Sequence, residues 1–230
     1  MVKHVVPGLF RIAIGMVNAY LLYTPHGAWL IDTGDTSSGA TIIRALHQHN
    51  LTPAQLRGII VTHLHYDHSG GLAHLQQHGA PAALMHPHDA DEVRQGNLLR
   101  RPFHLTPPLH HLQALIDKNP PSQPMGQPAH VIDTAVHGHI IDDVIHVIET
   151  PGHTAGHISL LWQMHGGVLI GGDVCMHLLG LRRAVGHEDA ERAAVSRQRI
   201  GTYTYETLVV GHGPPLHGHA SAKVRQHFHA

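Results

Sequence analysis

Along the first part of the chain, short apolar runs are separated by turn residues: "GLFRIAIG" (8–15), "NAYLLYT" (18–24) and "AWLID" (28–32), with "PHG" at 25–27 between the last two. Runs of this length broken by Pro and Gly predict strands joined by a hairpin, so the chain starts antiparallel. The period then changes. After "DTGDTSSG", Ile42, Ile43 and Leu46 fall at helical spacing and Thr36, Ser37 or Ser38 offers an N-cap, which predicts a helix over 39–50. "RGIIVT" reads as a buried strand and "GLAHLQQHG" as a short helix, with Leu72 and Leu75 three apart and Gly79 as its stop. "AALMH" is another strand, and "PHDADEVRQG" opens a helix on Pro87.

The second half repeats this rhythm. "HVIDTAV", "VIHVIET", "ISLLWQ" and "GVLIGGD" read as strands with "MHGG" as a turn, "EDAERAAVSRQRI" as a helix, "ETLVVGHG" as a strand running into a loop, and "ASAKVRQHF" as a last helix. Two strand-rich halves, each finishing in helices, predict an α/β fold of two sheets covered by helices on both outer sides. Between the halves, residues 97–128 hold Pro102, Pro107, Pro108, Pro120, Pro121, Pro124 and Pro128 around one helical candidate, "LHHLQALIDKN". This reads as a surface insertion or lid on a single domain spanning 1–230, a place for substrate selectivity and one surface a homodimer would use.

Charge narrows the partners. With 15 Lys and Arg against 16 Asp and Glu, the formal charge is −1, so no general electrostatic pull toward nucleic acid or anionic lipid is expected. Small molecules are the expected partners. No stretch approaches ~18 uninterrupted apolar residues, so no membrane span is expected, and "MVKHVVPGLFRIAIG" lacks the apolar core of a signal peptide. Cys175 is the only cysteine, which excludes an internal disulfide and suits a cytoplasmic location.

Histidine is abundant, at 28 residues, so spacing has to select the functional ones. In "THLHYDHSGG" the candidates are His63, His65, Asp67 and His68. On an extended segment, side chains two apart point the same way, so His63 and His65 can grip one ion while Asp67 and His68, on the following turn, reach a second. Mixed nitrogen and oxygen donors suit zinc, with iron or manganese as alternatives, better than calcium. Further ligands are offered where other strands run into Gly-rich loops: His153 in "ETPGHTAGH", Asp173 in "IGGDV" and His212 in "VVGHGPP".

In order along nearly the whole chain, "IDTGD", "THLHYDHSGG", "TPGHTAGHIS", "GGDV" and "GHGPP" resemble the metallo-β-lactamase superfamily. The resemblance implies a four-layer αββα sandwich with its site along one edge of both sheets. It implies that His63, His65 and His153 bind one metal, that Asp67, His68 and His212 bind another, and that Asp173 bridges them. Asp67 and Asp173 are then the carboxylates of the catalytic machinery, and a water shared by two divalent ions becomes a hydroxide that attacks an ester, thioester, lactone or phosphoester. Asp32 in "LIDTG" is expected to support a ligand, and His157 to fix the His153 loop.

Departures narrow the branch. Dedicated zinc β-lactamases generally lack the bridging aspartate present here as Asp173, and flavodiiron proteins replace the histidine at His65 with glutamate. Glyoxalase II adds a C-terminal glutathione-binding region, for which too few residues follow His212. N-acyl homoserine lactonases place a tyrosine shortly after the bridging aspartate, where this chain has Met176. The expectation is a dinuclear hydrolase of a small ester, thioester or lactone. The alternatives are a mononuclear iron enzyme like persulfide dioxygenases, with His63, His153 and Asp173 as ligands, a phosphodiesterase, and a metal-free binding module.

Other residues are expected to be ordinary. Tyr66 is assigned to packing, Cys175 to a small buried apolar position, and Arg100, Arg101, Arg182 and Arg183 to solvated surface. Tyr203 and Tyr205 are weak candidates for a phenol over the site. The histidine clusters at 110–111, 137–139 and 217–219 are expected to be solvated.

Overall fold

The computed structural model describes residues 2–100, 103–107, 109–113 and 126–228. One sheet has seven strands in the order Val2–Val6, Leu9–Ile14, Val17–Thr24, Gly27–Ile31, Gly58–Ile60, Ala83–Leu84 and Val131–Ile132. Its first four strands are antiparallel neighbours, and the last four run parallel. A second sheet of six strands is ordered Leu216–His217, Thr207–Val209, Val168–Ile170, Ile158–Trp162, Ile145–Glu149 and Ile140–Ile141.

The central strands are apolar on both faces because each face meets a different core. In Val17–Thr24, Ala19 and Leu21 enter a core beneath the helices Gly39–Gln48, Leu72–Gln77 and Pro87–Gln95, while Tyr20 and Leu22 enter the core between the sheets. Ala28 and Leu30 alternate with Trp29 and Ile31 in the same way. On the second sheet Leu160, Val168 and Ile170 face inward, and Leu161 and Leu169 pack beneath the helices Ala190–Gly201 and Ala220–Phe228. Period-two side chains thereby build three cores from two sheets, which is the αββα sandwich.

Some local expectations change. Val2–Val6 is a strand that the pattern did not announce, because only Val5 of this edge strand is buried. Ser38 precedes the first helix as expected, but its hydroxyl donates to Asp35 Oδ1 at 2.8 Å instead of capping a helical N–H. "HVIDTAV" pairs only through Val131–Ile132. Within the Pro-rich stretch, His104–Leu105 pairs with Gly186–His187 and Leu109–Leu112 forms a single 3₁₀ turn. The rest of the helical candidate and Arg101, Pro102, Pro108, Pro120, Pro121 and Pro124 lie outside the described residues. Among the described residues no helix is long and apolar enough to cross a membrane.

The two sheets are stitched at the edge where the parallel strands end. The Ile158 N–H donates to Thr62 O at 2.9 Å and the Asn18 N–H to Gly211 O at 2.8 Å. The buried Asn18 amide also donates to Val210 O at 3.0 Å and Gly213 O at 2.7 Å. Asn18→Ala removes two hydrogen bonds across the sheets, so it should lower unfolding free energy by about 1–3 kcal/mol. Urea denaturation of the metal-free protein measures this, and an unchanged midpoint would show that the amide does not join the sheets.

Candidate metal centre

Parallel pairing decides where the polar residues gather. Gly27–Ile31 and Gly58–Ile60 run parallel, so Asp32 and the Thr62–His68 loop leave the first sheet at one edge. Val168–Ile170 and Thr207–Val209 are parallel in the second sheet, so Asp173 and His212 leave there together. The antiparallel hairpin that pairs Glu149 with Ile158 carries His153 and His157 to the same edge.

Asp32 sits in the left-handed region at φ 59°, a conformation aspartate tolerates better than most residues. Its Oδ1 accepts from the Thr62 N–H at 2.8 Å, and its Oδ2 accepts from Thr62 Oγ1 at 2.9 Å and His68 Nδ1 at 2.8 Å. The Thr62 hydroxyl proton is thus committed to Asp32, so the oxygen accepts from His63 Nδ1 at 3.0 Å. His153 Nδ1 donates to Gly186 O at 2.7 Å, and His212 Nδ1 to Met16 O at 2.9 Å. With its outer nitrogen tied, each of these four rings turns Nε2 inward, as imidazoles in metal sites do.

Two groups of inward atoms result. His63 Nε2, His65 Nδ1 and His153 Nε2 form one, with separations of 3.1 Å from His63 to His65 and 2.9 Å from His65 to His153. Two nitrogens bound ~2.0–2.1 Å from zinc at a tetrahedral angle lie about 3.3 Å apart, so this spacing suits one ion. Asp67, His68 and His212 form the other, with Asp67 Oδ2 at 3.4 Å from His212 Nε2 and 4.0 Å from His68 Nε2. Asp173 lies between them. Its Oδ1 is 3.4 Å from His68 Nε2, and its Oδ2 is 3.5 Å from His153 Nε2 and 3.2 Å from His212 Nε2.

The donor set fits divalent cations. His68 Nε2 and Asp173 Oδ1 are buried with no hydrogen-bond partner among the described residues, an arrangement a bound cation compensates. Gly211 lies so close that a Cβ there would overlap the Asp173 carboxylate and the His68 ring. Burial, reinforced by neighbouring imidazoles, holds His63 and His65 well below the usual histidine range, in the neutral form that coordinates. For His68, burial is outweighed by Asp173, Asp32 and Asp67, which raise it to about 9. His212 likewise rises against burial to about 11 beside Asp173 and Asp67. Burial would lift both carboxyls, but His68 and His212 hold Asp173 far below the carboxylate range and Asp67 at about 2.

All seven expected ligands converge, with Asp32 and His157 beside them. Asp32 anchors His68, while His157 Nε2 accepts from the Asp173 N–H at 2.9 Å with its Nδ1 on Thr150 Oγ1 at 2.8 Å. The sequence reading missed Asp89, a fully buried carboxylate on the Pro87–Gln95 helix. Its Oδ2 accepts from the Leu64 N–H at 3.0 Å and Thr154 Oγ1 at 2.6 Å, and its Oδ1 from the Gly156 N–H at 2.9 Å and Arg100 at 2.6 Å. It ties the His63–His65 loop to the His153 loop. Arg100 also meets Glu188 at 3.1 Å, so it is a paired cation and not the solvated arginine expected. Phe103 sets its ring edge-on to His65 at 5.1 Å, and the buried His187 lies 6.0 Å from His153, with neither ring nitrogen hydrogen-bonded among the described residues. No spacing rule distinguishes these residues from their neighbours in the sequence.

Other expectations are corrected. Tyr66 is 45% exposed, so it does not pack. Tyr205 and Tyr203 belong to the core beneath the last two helices, away from the site. Cys175 is buried in that core, where desolvation pushes its thiol up to about 12 and keeps it unreactive, as expected.

A sequence model of the metallo-beta-lactamase superfamily matches residues 13–212. The chain belongs to the metallo-beta-lactamase superfamily. It is 27% identical to the probable metallo-hydrolase YflN of Bacillus subtilis (strain 168), over 92% of this chain and 86% of that one. It is 29% identical to the hydroxyacylglutathione hydrolase of Shewanella baltica (strain OS185), over 59% of this chain but only 39% of the relative's length. Among solved structures, a Cronobacter sakazakii metallo-beta-lactamase superposes with a TM-score of 0.69 at 21% identity, over 92% of this chain and 78% of that one. The Rm3 metallo-beta-lactamase gives 0.66 at 19% identity, over 89% and 75%. These two structures share the superfamily's fold.

Two outcomes follow from the site. In the metal-free protein at pH 7, His68 and His212 both lie below their raised pKa values and carry protons. Coordination needs the bare nitrogens, so loading metal should release about two protons per chain and tighten as pH rises toward 9. Calorimetry in buffers of different ionisation enthalpy counts them, and zero release would contradict the charge pattern. Asp89→Ala leaves two buried loop N–H groups without their partner and Arg100 with Glu188 as its remaining carboxylate, so stability should fall by ~3–5 kcal/mol. Chemical denaturation reads this directly, and a loss below 1 kcal/mol would remove Asp89 from its role as the tie between loops.

Proposed function

We propose that the protein is a dinuclear metal-dependent hydrolase, with zinc as its metal, acting on an ester, thioester or lactone of a small molecule. The observation that supports this reading most is the pair of inward-facing ligand groups with the Asp173 carboxylate between them. In this reading His63, His65 and His153 hold one ion, Asp67, His68 and His212 hold the other, and Asp173 is shared. When bound, two such ions supply a water acidified to near-neutral pKa and Lewis acidity toward the substrate oxygen.

The chain's own residues do the positioning. Asp32 keeps the His68 proton on Nδ1, and Gly186 O keeps that of His153 on Nδ1, so both rings present Nε2 to the site. Asp67 and Asp173 contribute the negative charge that retains two cations among neutral imidazoles. Phe103 sets its ring edge-on against His65 and His153 on one wall of the site. Met176 stands shortly after Asp173 where lactonases carry a tyrosine, so in this reading the ions themselves, and not a phenol, hold the oxyanion.

Elemental analysis of protein purified without a His-tag or chelator should find about two zinc ions per chain. Asp173→Ala and His153→Ala should each lose metal and lower turnover by at least ~10³-fold on a panel of lactones, thioesters and phosphodiesters, with circular dichroism unchanged. About one iron per chain would instead support oxygen chemistry on a sulfur substrate, and full activity in either variant would overturn the assignment.

A further inference from the structure

Away from the metal centre, the Ala190–Gly201 helix turns an arginine inward. Arg197 is 4% exposed, and its Nη1 is buried with no hydrogen-bond partner among the described residues. An unpaired buried cation is strongly disfavoured, and a guanidinium cannot escape by losing its proton. The neighbouring charge it feels is a second cation, Arg183. Among the described residues the Phe228 ring lies 5.6 Å from its guanidinium carbon, and such a contact offsets only part of that cost.

A cavity of about 280 Å³ opens on this group, lined by Arg183, Ala194, Arg197, Gln198, His227 and Phe228 and, among the described residues, by no carboxylate. Arg183 and His227 also line a second cavity of about 380 Å³, whose other walls include Leu109, Met176, Leu178, Leu181 and Val185. Leu109, Leu178 and Val185 are exposed apolar side chains at 38%, 38% and 44%. A cationic cavity and a largely apolar one, which Thr106 and Arg182 also line, thus share Arg183 and His227. Met176 follows the Asp173 loop, and Val185 precedes Gly186, whose carbonyl fixes His153, so the apolar cavity borders the loops of the metal centre.

We propose that these adjoining cavities form a binding site for a small amphipathic anion, its oxyanion head on Arg197 and Arg183 and its aliphatic tail along Leu178, Leu181 and Val185. A bound oxyanion supplies the charge and acceptor that the described residues do not give Arg197 Nη1, and guanidinium forks suit carboxylate, sulfate and phosphate heads alike. The tail covers apolar surface that is otherwise in water. The site does not depend on the metal reading, because none of the proposed ligands lines either cavity.

Hexyl sulfate, whose sulfate monoester is a weak metal ligand, is the probe, titrated into the metal-loaded full-length protein by calorimetry. Binding should weaken about tenfold or more in Arg197→Gln and several-fold in Arg183→Gln, with metal content unchanged in both. Arg183 is exposed, so its variant tests the site even if Arg197→Gln fails to fold. Leu178→Ser should weaken hexyl sulfate but leave inorganic sulfate unaffected. Equal binding by wild type and Arg183→Gln, or by 1-hexanol and hexyl sulfate, would overturn the anion site. Inorganic sulfate binding as tightly as hexyl sulfate would overturn the amphiphile.

Discussion

Buried charge balance at one sheet edge is the constraint on which the rest of this structure depends. Five imidazoles and two carboxylates occupy a space in which an unpaired ion would be strongly disfavoured. Asp32 offsets this by fixing His68 from behind, and Asp173 by standing among His68, His153 and His212. Without metal, protons on His68 and His212 neutralise the carboxylates; with metal, cations take the place of those protons. The same set of side chains is therefore stable in two charge states, which is what a reversible metal site requires.

The fold meets that constraint through backbone geometry. Strands that run parallel end at the same edge, and here each sheet contributes a parallel pair whose following loops carry polar residues. The Ile158–Thr62 and Asn18–Gly211 hydrogen bonds hold the two edges in register. Side chains that must meet within about 3 Å cannot be left to flexible loops, so main-chain bonds and buried amides bring them together. Gly211 extends the same logic to the backbone, because only a residue without a side chain lets the His212 loop lie against Asp173 and His68.

A second polar network lies behind the first. Asp89 reaches from a helix in the first half to Leu64, Thr154 and Gly156, and Arg100 bridges its charge to Glu188. Burial and neighbouring groups pull the Glu188 carboxyl in opposite directions, with burial prevailing to raise it. The network joins the two loops that carry His63, His65 and His153, so the ligand geometry is set by a residue that touches no ligand nitrogen. Arg197 shows the contrasting case, a buried cation for which the described residues provide no anion.

Periodicity and spacing were enough to determine the architecture and the candidate ligands. Alternating apolar residues such as Ala19, Tyr20, Leu21 and Leu22 specify a strand buried on both faces, and histidines clustered at a strand end specify a metal motif. Local chemistry of this kind is written in neighbouring residues, so it can be read without a structure. Asp89, Phe103, His187 and Arg197 were not legible, because each acts through partners distant in sequence that only packing brings near. Arg100 was misread as solvated for the same reason, since its partners Asp89 and Glu188 lie on separate elements. The sequence by itself determined which atoms were available to bind metal. Tertiary structure decided which of them face one another, because long-range pairing, rather than residue type, sets distances and burial.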